Sequence, residues 1–326
     1  MVSELPTPIP EPGEALIRVL QAGICNTDLE IMAGYLGFEG VLGHEFVGVV
    51  EQDHGAGLVG KRVVGEINLP CYRCERCLSG LSNHCSSMRA LGMRQKDGCF
   101  AEYLTLPVTN LHVVSDRISN DEAVFVEPAA AAVRIAEQHH LRPSEPVLVL
   151  GDGKLGLCVA LVLDALGLEV EVLGRNPEKL ARLHEFGVGT YCVSREDGAV
   201  LAYHPGGGGS EAGPERRLRD IPVVVEVTGS QSGLETAMKY LRPEGKLILK
   251  STVAGAAALN LSPAVVNELQ LLGSRCGPFE PVLRLMERGR LSLSGLISKK
   301  FSLLEGEEAF AQAQERGVLK VVLHNE

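Results

Sequence analysis

Four cysteines stand at Cys71-x2-Cys74-x2-Cys77-x7-Cys85, in a polar stretch with few apolar side chains. Thiolates at such short spacings can close on one tetrahedral Zn2+ with no open position, holding a lobe that cannot pack a core unaided. A four-cysteine iron–sulfur cluster is the competing occupant. The hydrophilic surroundings and the single set of four favour structural zinc. His84, beside Cys85, reads as a solvated loop residue. A second group is widely spaced: Cys25 in Gly23-Ile24-Cys25-Asn26-Thr27-Asp28, His44 in Gly43-His44-Glu45, and Glu127 in Val126-Glu127-Pro128. One thiolate, one imidazole and one carboxylate suit a catalytic zinc that keeps a position open for water or substrate. Each of the three alone is more often structural, as a buried Cys, a strand-end His or a helix-capping Glu, so only the combination carries the reading.

A third group binds phosphate rather than metal. Val147-Leu148-Val149-Leu150 is an apolar strand, and Gly151-Asp152-Gly153-Lys154-Leu155-Gly156 follows it directly into a helical pattern. In that context the glycines have distinct uses: Gly151 for the tight turn, Gly153 for backbone approach to a pyrophosphate, Gly156 for close helix–strand packing. The pyrophosphate would rest on the N-terminus of the helix opened by Lys154 and Leu155. The next strand ends in Gly174-Arg175-Asn176, where an NAD site places Asp or Glu on the ribose 2′-hydroxyl. Gly174 leaves room, Arg175 supplies a guanidinium and Asn176 a neutral donor, which together predict NADP(H) in preference to NAD(H).

These residues need two kinds of scaffold. Ala15–Leu20, Glu45–Glu51, Lys61–Gly65 and Phe100–Leu106 read as short strands separated by Gly and Pro signals. From about Val133 the pattern alternates: strands at Val147–Leu150, Glu169–Leu173, Val223–Val227 and Lys246–Lys250, helices at Leu155–Leu166, Pro177–Phe186 and Leu234–Leu241. That alternation calls for a parallel sheet covered on both faces. His204 to Arg217 reads as a Gly-rich surface loop, and Val318–Leu323 as a closing strand. The 326 residues suffice for about two domains. A net charge of −10 argues against nucleic acid or an anionic membrane as partner. No apolar stretch is long enough to span a bilayer, and the N-terminal segment lacks the features of a signal peptide. Nine cysteines in such a chain point to a reducing compartment, so the expected setting is cytoplasmic. Cys99, Cys158 and Cys192 lie in apolar surroundings and read as core.

With these residues in view, the sequence resembles the zinc-containing medium-chain dehydrogenase/reductases, the alcohol and polyol dehydrogenase family. GIC-N-TD, GHEFVG, the four-cysteine lobe, DGCFAEYL, EPAAAAV, GDGKLG, EVTGS and LKVVL occur in family order over nearly the whole chain. Glu127-Pro128 is similar to the sorbitol, threonine and glucose dehydrogenase branch, where a carboxylate is the third zinc position. The resemblance implies a GroES-like β-rich catalytic domain over 1–130 and 278–326, and a Rossmann coenzyme domain over 131–277. It implies a hydride transfer between an alcohol or polyol and the nicotinamide. Cys25, His44 and Glu127 become catalytic-zinc ligands, with Glu45 behind the metal or exchanging in, because neighbouring strand side chains face opposite ways. Asp28 orients His44, Thr27 starts a proton relay, Lys320 contacts the pyrophosphate, and Cys276 and Gly277 hold the carboxamide. Tyr35, Leu36, Phe38 and the region after Pro278 are expected to line the substrate pocket. A homodimer or homotetramer is implied, joined near Leu259–Leu261 and Arg275–Phe279.

Departures from the family are also visible. Glu30 stands where many members finish the relay with His, and Asn26 where some place a basic pyrophosphate ligand. Cys25 lies close to the start of the sequence, so the family's opening strand is expected to be missing or shortened. The zinc-free quinone or enoyl reductases of the same fold lack both zinc sets. A non-catalytic nucleotide-binding protein would need a broken catalytic shell. The residues above count against both.

Overall fold

The computed structural model describes residues 3–194, 200–203, 218–252 and 258–325; the Gly-rich segment expected as a loop, 204–217, falls outside these. The chain forms two compact units, one of 1–130 with 278–326, the other of 131–277.

In the first unit the early strands are β1 (Glu14–Ile24), β2 (Glu45–Gln52), β3 (Arg62–Gly65), β4 (Asn68–Leu69), β5 (Arg89–Ala90), β6 (Tyr103–Pro107) and β7 (Leu111–Val113). The expected strands are present, with β1 running four residues further, to Ile24. β1 is apolar and buried over most of its length, as a strand paired on both edges is, and that length lets it serve three partners. It pairs antiparallel with β2 along most of its length. Its other edge takes β6 over Glu14–Arg18 and then the last strand of the chain over Gln21–Ile24. The hub strand therefore ends at the residue before Cys25, and the register Gly23↔Glu45 brings the start of β2 alongside.

The second unit holds β8 (Val147–Leu150), β9 (Val170–Gly174), β10 (Gly189–Val193), β11 (Val200–Tyr203), β12 (Ile221–Glu226), β13 (Leu241–Leu249) and β14 (Gln270–Gly273). The sheet order is β11-β10-β9-β8-β12-β13-β14, with only β11 antiparallel to its neighbour. Counted from β8, the parallel strands run 3-2-1-4-5-6, the order whose strand reversal creates a dinucleotide crevice. β13 begins earlier than expected, but between Leu241 and Lys246 its register with β12 shifts around Glu244, which has a positive φ. The unbroken parallel run starts at Lys246. Helix α5 (Lys154–Ala165) is buried on nearly all sides except Asp164, as an apolar crossover helix over a sheet must be.

The helices that matter below are α1 (Asn26–Met32), α2 (Glu75–Leu78), α3 (Asn120–Ala123), α4 (Val126–His139), α5 (Lys154–Ala165) and α6 (Pro177–His184). α6 shows why the sequence starts a helix where it does. Asn176 Oδ1 accepts the Lys179 N–H, Pro177 fills the first helical position, and Leu180 and Leu183 face the core. Cys99 and Cys158 are buried, whereas Cys192, on β10 beside the edge strand β11, is only half-buried.

The chain returns to the first unit through β15 (Ile297–Ser302) and β16 (Lys320–His324), the latter pairing with β1. Ile24, Val321 and Leu323 pack there with Ala309 and Ala313, and Phe100 meets Phe310 edge-on at 5.5 Å. A second tie is polar. The carboxylate of Glu122 accepts from Ser292 Oγ and Leu293 N, both at 2.7 Å, and from Ser294 N at 3.1 Å. Ser119 caps α3 from below by accepting the Glu122 N–H. Replacing Glu122 by Ala leaves those donors to water and is expected to cost about 1–3 kcal/mol. Chemical unfolding should show a lower midpoint; an unchanged midpoint would mean that packing alone returns the last segment.

Candidate metal centre and dinucleotide loop

Cys25 follows the end of β1 and caps α1, while His44 stands in the turn just before β2. Asp28 joins them. It is fully buried, Oδ2 accepts the Cys25 N–H at 2.8 Å, and Oδ1 lies 3.1 Å from His44 Nδ1. That contact fixes the ring and leaves Nε2 as the nitrogen for a metal. Burial alone would lower the His44 pKa, yet the Asp28 carboxylate holds it well above the ordinary histidine value. The same field favours any cation placed against the ring. The ligand atoms of Cys25, His44 and Glu45 all lie within 4.8 Å of one another.

Glu45 is thus on the same side as His44, not the opposite one. Strand alternation does not apply, because β2 begins only at Glu45 and His44 precedes it. Glu127, in the first turn of α4, does not join this cluster of ligand atoms. Lys320 lies beside this cluster as well. It is 4% exposed, its ammonium forms an ion pair with the Glu45 carboxylate, and it stands 5.5 Å from the Phe125 ring centroid. The register of β16 on β1 brings it there, since Val321 pairs with Ile24.

Thr27 is half-buried, and the Cys25 thiol donates to its hydroxyl at 3.8 Å. Glu30 is exposed, and its carboxylate accepts from Asn26 Nδ2 at 2.8 Å, so the two departures from the family pair with each other. Tyr35 and Leu36 are exposed in a short turn, while Phe38 is half-buried.

The four-cysteine lobe comes together around α2. All four Sγ atoms lie within 4.8 Å of one another, with Cys74–Cys77 at 3.5 Å and Cys74–Cys85 at 3.8 Å. A tetrahedral zinc with 2.3 Å bonds requires sulfurs about 3.8 Å apart, so the set fits that ion. The N–H groups of Cys71 and Ser87 both donate to Cys85 Sγ at 3.3 Å. Backbone N–H groups of Cys77 and Ser86 push the Cys74 thiol down to about 5. Desolvation and the neighbouring thiols push Cys77 up to about 12. Four sulfurs this close cannot all ionise without a cation among them.

In the second unit, Gly151 has φ +129°, and a Cβ on Gly156 would lie 2.0 Å from Gly151 O. Both positions therefore exclude side chains, one by turn geometry and one by helix–strand contact. A Cβ at Gly153 would meet nothing within 4 Å, and Gly153 starts α5 without a side-chain cap. An open backbone surface at a helix N-terminus is what a pyrophosphate requires, so the loop fits the group. Lys154 and Leu155 form the first turn of α5, and Cys276 and Gly277 follow β14.

The end of β9 departs from expectation. The room predicted beside Gly174 is filled: a Cβ there would lie 2.6 Å from Oδ2 of Asp152. That oxygen accepts the N–H groups of Arg175 at 2.6 Å and Asn176 at 2.5 Å. In sequence, Asp152 shows only as an acid inside the glycine loop combined with a glycine ending the next strand. Glu226, fully buried at the end of β12 and without a local signal in the sequence, accepts from Thr228 N and Oγ1 and from Ser251 Oγ. Glu226 thereby ties two loops at the same end of the parallel strands.

Comparison with known proteins agrees with this geometry. The alcohol dehydrogenase GroES-like domain model matches residues 11–116, and the zinc-binding dehydrogenase model matches residues 155–289. The L-galactonate-5-dehydrogenase of Escherichia coli K12 is 28% identical over 330 residues, which cover 96% of this chain and 90% of that protein. An alcohol dehydrogenase of E. coli CFT073, solved with NADH, superposes with a TM-score of 0.86 at 25% identity, covering 98% of this chain and 94% of its own. A structure from Sinorhizobium meliloti 1021, described as a zinc-binding dehydrogenase bound to NADP, gives 0.84 at 25% identity with the same coverage. The chain joins a GroES-like unit to a Rossmann-type unit and belongs to the zinc-containing medium-chain dehydrogenase/reductase family.

Proposed function

We propose that this protein is a zinc-dependent dehydrogenase that oxidises a small alcohol or polyol, or reduces the corresponding carbonyl, with a nicotinamide dinucleotide. The observation that carries the reading is the Asp28 carboxylate. It holds the backbone of one candidate ligand, Cys25, and the ring of another, His44, around a cluster with Glu45. A relative named for L-galactonate supports a polyhydroxylated substrate.

Zinc held at this cluster supplies Lewis acidity and the dinucleotide supplies the hydride acceptor. The chain does the rest. Cys25 and His44 would hold the metal beside Glu45, and Glu127, outside the cluster at the start of α4, would complete the shell through a water. Lys320 holds the Glu45 carboxylate, which would stand beside the metal. Thr27 would accept the proton of the alcohol and pass it outward, to water or to Glu30. Gly151, Gly153, Lys154, Leu155 and Gly156 carry the pyrophosphate, and Cys276 and Gly277 carry the carboxamide. A second, structural zinc sits on Cys71, Cys74, Cys77 and Cys85. The expectation of NADP(H) keeps Arg175 and Asn176 in its favour but loses the open space at Gly174. A cytoplasmic setting accords with the free cysteines. Among the described residues no helix is long and apolar enough to cross a membrane.

Oligomerisation belongs to the same reading. β14 is the edge of the parallel sheet, and exposed Leu261, Val265, Val266 and Leu271 lie on it or just before it. Pairing two copies edge to edge would cover that row of backbone groups and apolar side chains. Light scattering at micromolar concentration should give the mass of a dimer or tetramer; a monomer mass would remove this interface.

Two substitutions test the metal assignments separately. His44→Ala should abolish turnover while dinucleotide binding persists, because the glycine loop lies on the other unit. Near-normal activity would exclude the metal mechanism. Cys77→Ser should lower zinc content from about two ions per chain to about one and depress the thermal midpoint. Unchanged stoichiometry and melting would refute the structural site.

A further inference from the structure

The dinucleotide reading leaves open how the chain tells NAD(H) from NADP(H), and one carboxylate within the loop bears on that choice. In sheets of this order, an acid about 20 residues beyond the glycine loop, at the end of the second strand, accepts hydrogen bonds from the adenosine ribose. That position here is Gly174, which ends β9 and has no side chain. The space is nonetheless occupied. A Cβ on Gly174 would fall 2.6 Å from both Cβ and Oδ2 of Asp152 and 2.8 Å from its Cγ. Asp152 follows β8, and β8 and β9 are held in register by Leu150↔Leu173 and by Gly151 N donating to Leu173 O at 2.9 Å. The carboxylate therefore crosses from one strand end to the next, and glycine at 174 is what lets it cross.

We propose that Asp152 is the residue that reads the adenosine ribose in this chain, selecting NAD(H) by accepting its hydroxyls and excluding the 2′-phosphate of NADP(H). This rests on the dinucleotide reading above and reverses the preference that Gly174 and Arg175 suggest from sequence alone.

Hydrogen bonding and charge both support it. Oδ2 already accepts the consecutive N–H groups of Arg175 and Asn176 at 2.6 and 2.5 Å. Those are the backbone donors at the turn that a 2′-phosphate would need, and an anion already holds them. An ionised carboxylate has about four acceptor sites. Two are used, so capacity remains for ribose hydroxyls, which can donate. A phosphate dianion cannot donate. It would have to sit against the carboxylate or displace it from both N–H groups, and like charges at such range repel. Arg175 is exposed, so its guanidinium is hydrated and screened, whereas Asp152 is pinned by two backbone donors. The fixed anion outweighs the mobile cation. Asn176 adds a reason for Asp152 to stay: its side chain caps α6, so the turn that Asp152 anchors also starts that helix.

The test compares wild type, Asp152→Asn, and the exchange Asp152→Gly with Gly174→Asp. Calorimetry with adenosine 5′-monophosphate and adenosine 2′,5′-bisphosphate reads selection without turnover, so it is separable from failure of the dehydrogenase reading. kcat/KM for NADH and NADPH gives the second readout. Wild type should favour the monophosphate and NADH by about ten- to hundredfold, which is about 1.4–2.7 kcal/mol. Asp152→Asn keeps an acceptor for the turn but removes the charge, and should shift both ratios at least about tenfold toward the phosphorylated ligand. The exchange variant returns the acid to the strand end and should keep the wild-type preference. Wild type favouring the bisphosphate and NADPH would overturn the proposal. So would an Asp152→Asn protein, folded by circular dichroism, whose ratios do not move. If Asp152→Asn does not fold, Asp152→Gly alone decides: its ratios should shift at least about tenfold toward the phosphorylated ligand, and ratios that do not move would overturn the proposal.

Discussion

The carboxylate of Asp28 is the constraint on which the candidate metal centre depends. It is buried without exposure and has one oxygen on the Cys25 N–H and the other on the His44 ring. An ionised group in that position costs much desolvation, which is offset only when each oxygen has a donor. Both donors belong to residues that present candidate ligands, so satisfying Asp28 and shaping the centre are one requirement. The rest of the first unit serves that arrangement. β1 delivers Cys25 to the N-terminus of α1, whose third residue is Asp28. The register of β2 on β1 then places the turn carrying His44 opposite.

A second buried pair couples the far end of the chain to the same place. Glu45 and Lys320 are both nearly inaccessible and bonded to each other, and breaking such a pair leaves an uncompensated charge indoors. Lys320 reaches Glu45 only when β16 is zipped onto β1, so the last strand must dock before the centre is electrostatically complete. That link explains why a discontinuous unit, interrupted by 147 residues of a separate unit, has a polar tie at Glu122 and an apolar one around Ile24 and Val321.

What could be read from the sequence was what short spacing decides. Four cysteines within fifteen residues have few ways to arrange themselves, and a glycine loop between an apolar strand and a helix is defined by its flanks. The strands around both sites were legible for the same reason, because alternation and breaker residues are local. Three features were not. The side on which Glu45 faces depends on where β2 begins, a boundary one residue wide. The partner of Lys320 depends on strand pairing across 275 positions. The crossing of Asp152 beside Gly174 depends on lateral contact between strands β8 and β9, and in sequence it looks like two unrelated features, a glycine where an acid belongs and an acid among glycines. Each is a tertiary fact expressed by residue types that have a different meaning when read locally.

The central claim is that the Asp28-linked cluster binds zinc in addition to the four-cysteine lobe. Zinc-edge X-ray absorption on the purified protein measures the mean ligand set directly. Four sulfurs at one site and one at the other average about 2.5 sulfurs per zinc, the remaining neighbours being nitrogen and oxygen near 2.0–2.1 Å. That average, with about two zinc ions per chain, is the predicted result. A pure four-sulfur shell with one ion per chain would contradict the account.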